Sequence, residues 1–349
     1  MRRHSPLPLH AAAAYTLLVI YASLHPFSGW RSNGAAPLDF MGAAWPHYFT
    51  VFDLITNVIA YVPLGFLWVP AMQLRFPRWA AMLATLLIAF SLSLGMETLQ
   101  NYLPSRVPSN LDFGTNCLGG LGGALLGLRW GRVLLSGGWL HELRVSWIVG
   151  GNVGETGLLL LGAWLLTQLS PIPLLFGSGD VRSLLGLGFD LPFDVERFGD
   201  FEAAVTAANT VAVGLVLSCL LRRNLLAGVI LLFLAALFIR SFSYALLVAP
   251  DKAFLWSTPG NARGLLIGLL LLLPLPWLSI PWRRALAGSV LLLATVLVNL
   301  VPENPYLTQA ALAWRQGHFL NFNGLTRLAS ILWPFAALPW LLLKEHKDE

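Results

Sequence analysis

Seven residues in the first third of the chain have types and spacings that could do chemistry: Asp53, Asn57, Glu97, Gln100, Arg106, Asp112 and Asn116. Asp53, Asn57 and Tyr61 recur at i, i+4 and i+8, which places them on one face of a helix. At 1.5 Å per residue this stripe is about 12 Å long. Glu97 and Gln100 share a face at i, i+3, and Asp112 and Asn116 share one at i, i+4. Two carboxyls in partly dry surroundings can hold different protonation states, which is what general acid–base work requires. Glu97 and Asp112 are therefore the candidate catalytic pair. Arg106 carries a planar fork of donors that matches a carboxylate or a phosphate bidentately. It serves either as a salt bridge to Glu97 or Asp112 or as a clamp on an anionic headgroup. Asp53, Asn57, Gln100 and Asn116 complete the candidate substrate-binding set. The plainer alternative is that the amides join helices by hydrogen bonds, as polar side chains in membranes often do.

The elements that must position these groups are membrane helices. Of 349 residues, 56% are hydrophobic and only 11% charged, with a mean hydropathy of +0.69. Charged residues make up roughly a quarter of an ordinary soluble domain. An apolar run of about 20 residues crosses a bilayer core. Such runs predict an all-α, polytopic bundle of about ten helices, near 9–27, 53–72, 79–97, 113–135, 145–170, 202–221, 225–249, 262–281, 285–301 and 325–343. A charge at mid-membrane costs about 2.5–3.5 kcal/mol on insertion scales, so the polar residues above must face protein or water.

The formal charge of +5 does not point to nucleic acid. The basic residues come in pairs between apolar runs, such as Arg75 with Arg78 and Arg222 with Arg223, and read as topology signals. They place both termini in the cytoplasm and the segments 98–112 and 171–201 outside, so the polar cluster opens outward. The start, MRRHS before an apolar stretch, also has the outline of a signal peptide, but the stretch runs into aromatic residues instead of a small-x-small site. Gly119, Gly123 and Gly127 form a small-xxx-small stripe below Asn116 and are expected to press that helix against a neighbour. Cys117 and Cys219 lie in apolar helices and make no disulfide framework. No paired histidine spacing or HExxH motif suggests a metal, and no phosphate loop, dinucleotide fingerprint or G-x-S-x-G elbow suggests a cofactor or a hydrolase nucleophile.

Taken in order, D53-x3-N57 with P63-L-G65, E97-x2-Q100, R106, D112-x3-N116 and G119-x3-G123 resemble the VanZ-like family of bacterial membrane proteins, over residues 10–135. The resemblance implies an integral membrane fold in the bacterial cytoplasmic membrane and, in the family's namesake, low-level resistance to the glycopeptide teicoplanin. It supplies no molecular activity. The chain is accordingly divided into a VanZ-like domain, 1–140, and a further helical region, 141–349. The second region contains a weak echo of the first, with Glu202 and Asn209 in one helix and Asn261, Gly264 and Gly268 in another. The segment 304–327, with Trp314, Arg315, His318, Asn321 and Asn323, reads as an interfacial element or lid. Three functions fit: an enzyme acting on an anionic envelope lipid or precursor, a non-catalytic binder of such a partner, and a transporter. The one-sided cluster weakens the last, because transporter sites lie near the midplane. The sequence leaves the oligomeric state open.

Overall fold

The computed structural model describes residues 7–32, 34–45, 49–135, 137–170, 174–187, 192–302, 304 and 320–343. These residues are mostly helical, and among them no strand is formed. Ten long helices follow one another: α1 (Leu7–Leu24), α2 (Val51–Met72), α3 (Arg78–Gln100), α4 (Asn110–Leu126), α5 (Gly151–Thr167), α6 (Val195–Leu220), α7 (Leu225–Leu247), α8 (Pro259–Leu271), α9 (Ile280–Leu300) and α10 (Leu320–Leu342). Among the described residues, eight of them are long and apolar enough to cross a membrane, α8 being counted together with its continuation to Trp277. The other two, α4 and α5, have 17 residues each, and α4 runs on through a π-helical turn, Gly127–Gly131, into Arg132–Leu135. The chain is a polytopic helical membrane protein.

Two expected helices are interrupted, each for a local reason. The stretch near 145–170 divides into Trp139–Trp147 and α5, because Gly151 takes φ +68° at the junction, a conformation that glycine adopts without steric cost. The stretch near 262–281 stops at Leu271 and continues as a short 3-10 turn, Leu275–Trp277. Pro274 and Pro276 have no N–H to carry the helix on.

The chain forms two compact units, Met1–Arg144 and Val145–Glu349. In the first, α2 and α4 pack backbone to backbone. A Cβ built on Gly119 would stand 2.3 Å from the Val58 carbonyl oxygen, one on Gly123 would stand 2.0 Å from that of Val62, and one on Gly65 of α2 would stand 2.2 Å from that of Gly120. Gly120 faces the other way, where a Cβ would meet Ala89 of α3 at 2.9 Å. Helix α4 thus lies between α2 and α3, held close by glycines because any side chain would separate the backbones. The Tyr15 hydroxyl of α1 donates to the Ala60 carbonyl, and the Trp68 indole of α2 donates to Thr16 of α1, fixing the fourth helix.

In the second unit, α6 and α8 pack in the same manner. A Cβ on Gly264 would stand 2.4 Å from the Ala203 carbonyl oxygen and one on Gly268 would stand 3.0 Å from that of Ala207. The segment expected as an outer loop, 171–201, partly enters this unit's core. Leu175 and Phe176 are 1% exposed, and Phe176 packs on Trp164 and Phe233. Buried irregular backbone must find partners. Gly179 donates to the Ser330 carbonyl, and Asn299 accepts from Val181 N–H while donating to the Gly179 carbonyl. Of the expected lid, Trp314, Arg315 and His318 lie outside the described residues, as do the side chains of Asn321 and Asn323.

Candidate functional site

The site is built at one end of α2, α3 and α4. Helix α2 starts at Thr50, whose hydroxyl accepts from Asp53 N–H while the Asp53 carboxylate accepts from Thr50 N–H at 2.9 Å. This reciprocal box satisfies two amides that the first turn leaves without partners. Asp53 is thereby committed to starting the helix. One turn further in, the Asn57 amide donates to Asp112 Oδ1 of α4 at 2.9 Å. This bond sits directly above the Gly119–Val58 approach, and that approach is what brings the two side chains within reach.

Glu97, on the last turn of α3, is 2% exposed, and its Oε2 accepts from Ser109 N–H at 2.9 Å. Ser109 is the N-cap of α4, its hydroxyl accepting from Leu111 and Asp112 N–H. Glu97 therefore ties the end of one site helix to the start of the next. Asn116 donates to the Ser93 hydroxyl of α3 at 3.1 Å. Tyr61 of the α2 stripe is 3% exposed; its hydroxyl finds no well-formed hydrogen bond, yet lies within electrostatic reach of Glu97.

Arg106 occupies the 101–109 loop between α3 and α4, and its protein partners are ones that the sequence did not indicate. Its Nη2 donates to the carbonyls of Ala22 and His25, at 3.0 and 3.3 Å, where α1 ends and leaves carbonyls without helical partners. Gln100 donates to the Ser23 carbonyl beside them. Among the described residues no carboxylate comes within 4.0 Å of Arg106, so the salt bridge to Glu97 or Asp112 is not formed, although Glu97 is close enough for the charges to interact. Burial pulls the guanidinium below its ordinary pKa, and Glu97 acts against that shift. Nε and Nη1 have no protein acceptor among the described residues, so half of the fork stays uncommitted. Burial first, and then the charge of Arg106, also hold the His25 imidazole below its usual value.

The chain thus links five of the seven residues through short bonds or mutual charge, while Asn116 reaches Ser93 of α3 instead of another member of the set. Glu97 lies within electrostatic range of both Asp112 and Arg106, and Asp112 within range of Asp53. Gln100 joins through the end of α1. The polar spacings did not point to Ser93 or Ser109, because single serines in or beside apolar helices are ordinary; only the S-x-x-D pattern of Ser109 with Asp112 was there to be read as a cap. Among the described residues no three His, Cys, Asp or Glu side chains converge as metal ligands. A cavity of about 220 Å³ lined by Gln73, Phe76, Arg78 and Arg132 lies at the other end of α2 and is separate from this cluster.

Helices α1 to α4, with a polar cluster at one end and a glycine seam below it, define a small membrane-embedded domain. Residues 7–131 match the VanZ/LLP1 family, so the chain carries a VanZ-like membrane domain that coincides with this four-helix frame. Searches of curated proteins and of solved structures return no match.

Proposed function

We propose that the VanZ-like unit is a membrane-embedded site for an anionic cell-envelope lipid or lipid-linked precursor. Arg106 takes the phosphate, and Glu97 and Asp112 act as proton-transferring carboxyls beside it. One observation carries this reading: two carboxyls from different helices lie within charge range of each other, neither of them in an ion pair, next to an arginine whose Nε and Nη1 are uncommitted. Buried charges in membranes ordinarily pair with one another. Here Arg106 gives Nη2 to helix-end carbonyls, and an external anion between guanidinium and acids would take the remaining donors. Asn57, Gln100 and Asn116 hold the three helices in register around that place, and Asp53 secures the start of α2. On this reading the protein sits in a bacterial cytoplasmic membrane with both termini inside, and altering a lipid-linked precursor would accord with the glycopeptide resistance of the family's namesake.

A second reading, a binder without chemistry, is favoured by a different observation. Glu97 and Asp112 each accept a structural hydrogen bond, from Ser109 and Asn57. The two readings separate through Glu97→Gln and Arg106→Lys. The glutamine keeps an acceptor for Ser109 N–H while removing proton transfer, and the lysine keeps the charge without the fork. Comparing the lipids and precursors of cells expressing each variant tests chemistry, and native mass spectrometry of the purified variants tests retention of an anionic lipid. An enzyme loses the altered species in Glu97→Gln while still retaining lipid; a binder is unaffected by Glu97→Gln and loses lipid in Arg106→Lys. Unchanged behaviour of both variants in well-expressed protein would refute the proposal.

A further inference from the structure

We infer that residues 151–277 are a second copy of the VanZ-like unit, one that keeps the frame, has lost the chemical groups and is plugged by its own loop. The glycine seams carry the argument. Gly119 meets the Val58 carbonyl and the Tyr61 Cβ; Gly264 meets the Ala203 carbonyl and the Thr206 Cβ. Gly123 meets the Val62 carbonyl; Gly268 meets that of Ala207. Every residue of the second set stands 145 positions after its counterpart, on both helices of the pair. The same shift carries Asn116, Leu121, Leu125 and Leu126 onto Asn261, Leu266, Leu270 and Leu271. It also carries α1, α2, α3 and α4 onto α5, α6, α7 and α8, with ends agreeing to within about four residues.

A third register agrees independently. In the first unit an arginine, Arg106, donates to the carbonyl of residue 25 at the end of α1. In the second, Arg240 donates to the carbonyl of residue 170, again 145 positions on, at the end of α5. The two arginines reach that carbonyl from different places in the chain, so the contact belongs to the frame. Arg106 and Arg240 are positioning residues for the first helix of each copy.

The departures fall at the site. The shift places Phe242, Ser257 and Asp251 where the first unit has Glu97, Asp112 and Arg106. A carboxyl now stands on the partner helix: Glu202 occupies the position of Asn57 and accepts from the Thr258 hydroxyl at 2.7 Å. The sequence echo had set Glu202 against the acid of α2, and the packing sets it against the amide. Leu265 replaces Gly120, the glycine that admits α3 in the first unit. Among the described residues the stretch from Pro26 to α2 is exposed apart from Phe40, whereas the counterpart after α5 buries Leu175 and Phe176 and bonds Ser178 to Asn209 of α6. With both acids gone and the loop inside, the second copy has neither the groups nor the room for the chemistry assigned to the first.

The test uses the full chain in nanodiscs of native lipid. An experimental map should superpose α5–α8 on α1–α4 at the 145-residue shift; a best fit in another register or helix order would overturn the duplication. The silent character rests on the reading of the first unit as a lipid site and is measured apart from it, by native mass spectrometry and lipid analysis of Glu202→Gln. Wild-type lipid retention and product with Glu202→Gln, against loss with Glu97→Gln or Arg106→Lys, is the expected result. Loss with Glu202→Gln at unchanged folded yield would show the second copy to be active. If Glu97→Gln and Arg106→Lys are also without effect, the proposed function fails while the duplication stands or falls on the map alone.

Discussion

Gly123→Ala is the sharpest test of how the α2–α4 seam positions the site. The added Cβ would stand 2.0 Å from the Val62 carbonyl oxygen, 2.8 Å from its carbon and 2.9 Å from Phe66 N. All three are backbone atoms of α2, so no side chain can turn away. Restoring ordinary contact near 3.4 Å requires the helices to part locally by about 1.4 Å. If half of that opening, about 0.7 Å, reaches the level of Asn57, its 2.9 Å bond to Asp112 stretches to about 3.6 Å and exceeds hydrogen-bonding range. Overpacking of this kind costs about 1–3 kcal/mol. Loss of an interhelical hydrogen bond adds about 0.6 kcal/mol, and the better helix propensity of alanine returns at most about 1 kcal/mol. A net loss of roughly 1–3 kcal/mol is expected. Gly122→Ala on the same helix is the control, because nothing lies within 4 Å of its added Cβ. The assay is reversible unfolding in bicelles or mixed micelles, with the two variants measured side by side. Equal stability of Gly123→Ala and Gly122→Ala would refute the close-approach argument.

Three further outcomes are expected. Asn57→Leu leaves the Asp112 carboxylate without its amide donor and should destabilise by about 1–3 kcal/mol, whereas Asn57→Leu with Asp112→Leu should recover part of that loss; additive costs in the double-mutant cycle would mean that the pair is not coupled. His25 has a depressed folded-state value, so the unfolded chain binds the extra proton and the stability from the neutral imidazole is present above about pH 6.5 and lost as pH falls below it; His25→Phe should flatten the fall in melting temperature between about pH 7 and pH 5, and an unchanged slope would assign it to other groups. In a background lacking Cys117 and Cys219, Ser105→Cys should react with an impermeant thiol reagent in intact cells and Arg75→Cys only after permeabilisation; the reverse pattern would turn the site toward the cytoplasm.

Much of the fold is legible because the bilayer writes it into composition. Apolar runs of membrane-spanning length have no other stable use, and all ten reappear as helices. The glycine stripe below Asn116 was readable for the same reason, since few other sequences let two backbones touch. Local punctuation was harder to weigh. Gly150-Gly151 and Pro274-x-Pro276 break apolar runs that hydropathy alone joins together. Within the site, the face shared by Asp112 and Asn116 was readable, and Thr50-x-x-Asp53 was present as a capping pattern whose importance the substrate-binding reading of Asp53 obscured. The partner of Arg106 was not readable. Its acceptors are main-chain carbonyls at Ala22 and His25, and sequence does not encode which helix end a distant loop will meet. The nearest acids in the chain were the natural guess, and a carbonyl pair some eighty residues upstream took their place. The burial of Leu175 and Phe176 was hidden likewise, because the acids around them mark the whole segment as solvated.

The central claim is that the uncommitted half of the Arg106 fork faces an anionic headgroup beside Glu97 and Asp112. The most direct measurement is an experimental density map of the full chain purified in native lipid, at a resolution that separates a phosphate from water. The account predicts a phosphate-sized feature within hydrogen-bonding distance of Arg106 Nε or Nη1, with the rest of the headgroup directed toward the two carboxyls. A map in which Arg106 turns instead to form an ion pair with Glu97 or Asp112, with no density between them, would contradict it.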